Sequence, residues 1–150
     1  MANLSCIPKF VKKEVADKFV AETLYLMLLN STHVPNASTQ QFVSDVVAKE
    51  ITDVGGKYTT GGVAVSGKIS VEHSPSAGVY NYYLDLDDKV IGPGATLNYK
   101  FGILFENTGV QATSKIRAQI EFTGDITGNE VVNNGTSTIK WNTLGLIYIS

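Results

Sequence analysis

The chain has 150 residues, of which 43% are hydrophobic and only 17% charged, and its net charge is −2. One domain fits that length, and a near-neutral chain with scattered Lys and Arg argues against nucleic acid as a partner. No apolar run approaches the ~18 residues of a membrane span, and the single cysteine, Cys6, permits no internal disulfide and no metal-ligand spacing.

The first element reads as a helix. Ser5 caps it, Pro8 suits its first turn, and Val11, Val15 and Phe19 form one apolar stripe. The basic start of Lys9, Lys12 and Lys13 is interrupted by Glu14 and Asp17. The apolar run Leu24–Leu29 is too short and too late for a signal peptide, so synthesis in a cytoplasm is expected. Without a secretory route, Asn30-Ser31-Thr32, Asn36-Ala37-Ser38 and Asn134-Gly135-Thr136 are expected to be turn residues and not glycosylation sites. Residues 23–29 are apolar on both faces, as in a central strand covered on two sides. Ser38 with Gln41 three residues later has the capping-box pattern, and Phe42, Val43, Val46 and Val47 then predict a short helix from about Thr39 to Lys49.

From Tyr58 onward the pattern changes to strands. Val63, Val65, Ile69 and Val71 alternate with Ala64, Ser66, Lys68, Ser70 and Glu72, with Gly67 placed for a bulge. Tyr80, Tyr82, Leu84 and Leu86 alternate next, and Gly92-Pro93-Gly94 predicts a turn. The strongest signal runs from Leu97 to Trp141. Leu97, Tyr99, Phe101, Ile103 and Phe105 form one alternating set, Ile116, Ala118, Ile120 and Phe122 a second, and Ser137, Ile139 and Trp141 a third. A period of two places alternate side chains on opposite faces, one buried and one wet. The runs 63–72, 97–106 and 115–123 are expected to pair antiparallel, with Phe101, Ile103, Ile120 and Trp141 in the core. Asn107–Ser114 reads as the loop between two long strands, Asn134-Gly135 as a two-residue hairpin turn, and 144–149 as a last strand. The expected fold is mainly β: an antiparallel β-sandwich of seven to nine strands with one or two short peripheral helices. Residues 1–21 are read as an N-terminal helical docking segment and 22–150 as the sandwich domain.

Candidate chemistry is sparse. His33 lies in a polar loop and His73 before a Ser-Pro turn, so each is expected to be a solvated loop residue and not a base. Asp45 and Asp53 stand without a partner motif. Asp85, Asp87 and Asp88 could offer carboxylates to an ion, but they lack the calcium-loop frame and read as a solvated strand end. There is no nucleophile elbow and no phosphate-binding glycine loop. The expectation is therefore no enzyme, no catalytic residue, no metal and no cofactor. Tyr80, Tyr82 and Tyr83 permit a second reading, a carbohydrate- or receptor-binding module, in which Tyr83 on the outer face is the better contact.

Several segments together resemble a family of small tailed-bacteriophage virion structural proteins. They are Gln41-Phe42-Val43-Ser44-Asp45-Val46, Tyr58-Thr59-Thr60-Gly61-Gly62, Phe105-Glu106-Asn107-Thr108-Gly109, Ala112-Thr113-Ser114-Lys115-Ile116, Ile120-Glu121-Phe122 and Asn134–Trp141. The family's usual lettering is absent in residues 23–29, and it places Tyr and Lys where this chain has Phe105 and Glu106. The resemblance implies a capsid decoration (cement) protein that binds neighbouring capsid subunits. It equally allows a neck or tail component. The partners are then other virion proteins (the major capsid protein or neck and tail proteins), with multiple copies per particle and no nucleic acid or membrane. The expected location is the virion, after synthesis in the host cytoplasm. The expected contact residues are Val11, Val15 and Phe19 of the helix, Tyr83, and Asn107, Thr108 and Gln111 of the loop.

Overall fold

The computed structural model describes residues 9–77, 79–122, 129–141 and 147–149. Ser5, Cys6 and Pro8, and the start of the expected last strand at 144–146, lie outside the described residues. Among the described residues the chain is mainly β, sandwich-like, with antiparallel ladders and one α-helix. Its residues cluster into two compact units, one from Met1–Glu22, Ser66–Asp88 and Lys140–Ser150, the other from Thr23–Val65 and Lys89–Ile139.

The first unit contains helix α1 (Lys9–Ala21) and a sheet. Its buried face is centred on Ala16, flanked by half-buried Lys12 and Val20, while Val15 is exposed. The helix is tied to its sheet by polar contacts. Lys9 Nζ meets Glu72 Oε1 at 2.8 Å, Lys12 Nζ donates to the Tyr80 carbonyl and Ser70 Oγ donates to Asp17. In the other unit, strand β1 (Leu24–Leu29) forms where the sequence places it, buried on both faces except at half-buried Tyr25. It lies between β2 (Val63–Ala64) and a later strand.

The expected helix over 39–49 is instead two 3-10 turns, Val43–Asp45 and Val47–Lys49. Four β-branched residues, Thr39, Val43, Val46 and Val47, and Asp45 make this segment a weak helix former. Its backbone groups are also used elsewhere: Val43 N–H donates to the Ser114 carbonyl and Asn30 N–H to the Lys49 carbonyl. Ser38 caps no helix. Asn36 Oδ1 accepts its N–H, while Asp45 Oδ2 accepts the N–H groups of Gln41 and Phe42.

The alternating run 63–72 is not one strand. It breaks at Gly67, where φ is +64°, into β2 and β3 (Ile69–Ser76), which belong to different units. Strand β3 pairs with β4 (Val79–Asp85), and β4 with the strand Ile147–Ile149, rather than with 97–106. The 97–106 run is likewise two strands, β5 (Lys89–Tyr99) and β6 (Phe101–Glu106), bent at Lys100 where the chain switches ladders. Gly92-Pro93-Gly94 lies inside β5 and reverses nothing. Strand β6 pairs antiparallel with β7 (Ile116–Glu121), as expected. A bulge there sets both Ile116 and Arg117 against Phe105, so Ile116 packs with Phe105 and not with Ala118 and Ile120. Asn134 and Gly135 also lie within a strand, β8 (Glu130–Ile139), which pairs with β5. Asn134 alone of the two has positive φ, +47°. The final strand, β9, is Ile147–Ile149.

The four-stranded sheet runs β2-β1-β6-β7 and the two-stranded ladder is β5-β8. One face of the larger sheet buries Met27, Leu29, Phe101, Ile103 and Phe105 under Val43 and Val46 of the 3-10 turns. The opposite face carries Leu26, Leu28, Gly102 and Leu104, also buried. There Phe122 covers Gly102 and meets Tyr99 of β5 edge-on at 5.1 Å. Phe101 and Ile103 are core residues as expected, whereas Ile120 and Trp141 are half-buried. The Trp141 indole donates to the Asp87 carbonyl.

Candidate protein-contact surface

The loop from Asn107 to Ser114 joins β6 to β7 and is built almost entirely by its own hydroxyl and amide side chains. Asn107 N–H donates to the Thr23 carbonyl, and Asn107 Oδ1 accepts the N–H of Gly109, whose φ of +81° suits glycine. Ser114 is buried. Its Oγ donates to the Val110 carbonyl at 2.9 Å and accepts the Thr108 N–H. Thr108 Oγ1 lies 2.6 Å from Thr113 Oγ1. Ser44 N–H donates to the Gln111 carbonyl, which joins the loop to the first 3-10 turn. The result is a fixed loop whose Thr108, Gln111 and Ala112 are exposed and whose apolar tip, Val110, is 57% exposed. Asn107 itself is half-buried. A hollow of about 160 Å³ lies beneath it, lined in part by Met27, Val43, Phe105 and Gly61.

Alongside is the edge strand β7. Residues 115–119 face Ala37, Gln40, Gln41 and Phe42 across an open groove of about 330 Å³. Among the described residues, the wall includes Lys115 and Arg117 and no carboxylate. Arg117 Nη2 bonds Glu106 Oε2 at 2.7 Å.

The other sequence candidates are dispersed, and most serve as structural ties. His33 is buried, not solvated as its polar neighbours suggested. It packs edge-on to Phe101, with Nε2 3.4 Å from Gln119 Oε1, and burial lowers its pKa. Asp53 accepts four backbone N–H groups, from Gly55, Lys57, Tyr58 and Thr96. Burial opposes its ionisation, but those four donors outweigh it and draw its pKa down to about 2. Tyr58 is buried. Its hydroxyl donates to Glu50 Oε1 and accepts the Leu28 N–H, and burial together with Glu50 raises its pKa. Gly61 N–H donates to the same Glu50 oxygen. The Tyr58–Gly62 motif thus closes the free side of β1. His73 is exposed, edge-on to Tyr83 at 5.6 Å. Asp85 accepts the Leu86 N–H and Asp87 the Ser66 hydroxyl. Among the described residues, no three His, Cys, Asp or Glu side chains gather as a metal site, and no helix is long and apolar enough to cross a membrane.

The tyrosines do not form an exposed platform. Tyr82 is buried with its hydroxyl on Glu72, Tyr80 lies under Lys9, and Tyr83 is half-buried. Of the helix stripe, Val11 and Phe19 are half-buried and Val15 is 42% exposed. The structure therefore gathers Asn107, Thr108 and Gln111 in one loop and leaves Tyr83 and the helix residues in the other unit. Sequence reasoning missed Ser114, the residue that fixes the loop. Its signal was the Thr-Ser spacing around Val110. Compared with protein families, curated proteins and solved structures, the chain matches none.

Proposed function

We propose that this chain is a non-enzymatic structural protein of a tailed-phage virion, a decoration protein that binds neighbouring capsid subunits. The observation carrying this reading is the Asn107–Ser114 loop. It is held by side-chain bonds on the inside and presents Thr108, Val110 and Gln111 to solvent. A loop already fixed in one conformation loses little entropy on docking, which favours binding as its role. The same residues carry part of the resemblance to phage virion proteins.

The test is to measure copy number and position in purified particles by quantitative mass spectrometry and electron microscopy. Many copies over the head support decoration. A single ring on the tail axis moves the protein to the neck or tail, and absence from particles overturns the reading. In the same assay, Val110→Asp should leave folding intact, because the residue is exposed, and should deplete the protein from particles.

A further inference from the structure

The two edges of the four-stranded sheet are finished differently. On the β2 side, the strand is only two residues long, and the N–H of Leu28 and the carbonyls of Leu28 and Lys49 are taken by Tyr58, Ile51 and Asn30. That edge is closed to further pairing. On the β7 side the groups can be followed one by one. Phe122 N–H points inward to the Lys100 carbonyl, and Ile116 N–H points outward to the Gln41 carbonyl. The bulge at Ile116 and Arg117 reverses the parity between these two, so the count runs back from Phe122: alternation turns the backbone N–H and C=O of Glu121 and Gln119 outward, beyond the reach of Gln41. The Gln119 side chain is occupied with His33, so what this edge offers is backbone.

We propose that β7 pairs with β7 of a second copy of this chain, antiparallel and centred on Gln119, to make one continuous sheet across a two-fold axis. The sequence of the strand is self-complementary in that register. Residues 117–121 read Arg-Ala-Gln-Ile-Glu. Pairing about Gln119 sets Arg117 opposite Glu121 of the second copy, twice by symmetry, and Ala118 opposite Ile120. The outward groups of Gln119 then meet their own copies as a hydrogen-bonded pair. Arg117 keeps its bond to Glu106, because a guanidinium has five N–H donors and serves more than one carboxylate. Edge charges usually repel added strands. Here their opposite signs instead specify one register and one partner. The groove beside residues 115–119 leaves room next to the strand, and Gln41 limits the pairing to the stretch after Ile116. The inference is independent of the virion reading and concerns the free chain in solution.

The experiment is sedimentation of the full chain over a concentration series up to roughly 100 μM, across the range where modest interfaces associate. The expected result is a reversible monomer–dimer equilibrium. Gln119→Pro removes an outward N–H without touching the inward ladder. Glu121→Lys sets like charges opposite each other twice and gives up only a 3.5 Å surface pair with Lys100 in the monomer. Each should move the association midpoint by about tenfold or more, because symmetry doubles each change. Circular dichroism checks that the variants fold, and should Gln119→Pro unfold, Glu121→Lys decides alone. A wild type that stays monomeric overturns the proposal, as does a dimer that folded Glu121→Lys leaves unchanged.

Discussion

The β6–β7 and β5–β8 ladders lie in the same unit and have opposite economies. Strand β6 is buried at five of its six positions, on both faces, and its polar residues sit only at the rim. Strands β5 and β8 alternate, so that Ile91, Ala95, Leu97 and Tyr99 are buried while Val90, Asn98 and Val131 are exposed. The first ladder is held by packing on two sides. The second is covered on one side, and its pairing slips twice, around Gly92–Gly94 and Asn134–Gly135. Side chains repair the second slip: Asp53 Oδ1 accepts the Thr96 N–H, and Thr96 Oγ1 accepts the Asn134 N–H. Where packing is one-sided, polar side chains supply the order that the ladder lacks.

The sharpest way to break that comparison is to cut a side chain from each ladder. Leu104→Ala, at a fully buried β6 position, should cost about 2–5 kcal/mol in urea unfolding. Val90→Ala, on the exposed face of β5, should stay within about 0.5 kcal/mol. Equal losses at the two sites would mean that β5 is packed on both faces like β6.

The contrast also marks what the sequence could carry. The period of two located the strands, because each face keeps its environment for the length of a strand. It could not reveal that the chain changes ladders at Lys100. Leu97, Tyr99, Phe101, Ile103 and Phe105 remain buried through the bend, and the rhythm never breaks. Gly-Pro-Gly and Asn-Gly report permitted dihedrals, not reversals, and here they are spent on bulges inside strands. His33 looked solvated because its cover, Phe101 and Gln119, comes from strands far along the chain. The same holds for the contact surface. The Asn107–Ser114 loop was legible from turn residues between two strand patterns. The open edge of β7 was not, because being an edge depends on pairing order, which no local pattern encodes.

Asp53 tests the polar repair. Its folded pKa of about 2 lies below the ordinary 3.8. A depressed carboxylate contributes stability above its unfolded pKa and loses it as pH falls through the folded value. The wild type should therefore lose stability between about pH 4 and about pH 2 through this group. Asp53→Asn keeps an oxygen but places an N–H donor against other donors, and should cost about 1–3 kcal/mol at neutral pH. Its stability should then fall less steeply across the same acid window. Denaturant midpoints at several pH values read both effects, and parallel acid curves for the two proteins would assign the acid sensitivity to other groups.

The smallest effect concerns the slip at Asn134, between the pairs Ala95–Gly135 and Leu97–Val132. A hairpin turn at Asn134-Gly135 would need positive φ at both residues and would make Gly135 the sensitive one. In the structure the left-handed conformation belongs to Asn134 alone. A Cβ added at Gly135 meets Val132 Cγ1 at 3.3 Å, the end of a side chain that can yield by a few tenths of an ångström. Asn tolerates the left-handed region and a β-branched residue does not. Asn134→Val should therefore cost about 1–2 kcal/mol, and Gly135→Ala should stay within about 0.5 kcal/mol of wild type. Paired melting curves of the two variants measure the order directly. The reverse order, with Gly135→Ala the more damaging, would place the strain at Gly135 and restore a turn where the ladder now shows a bulge.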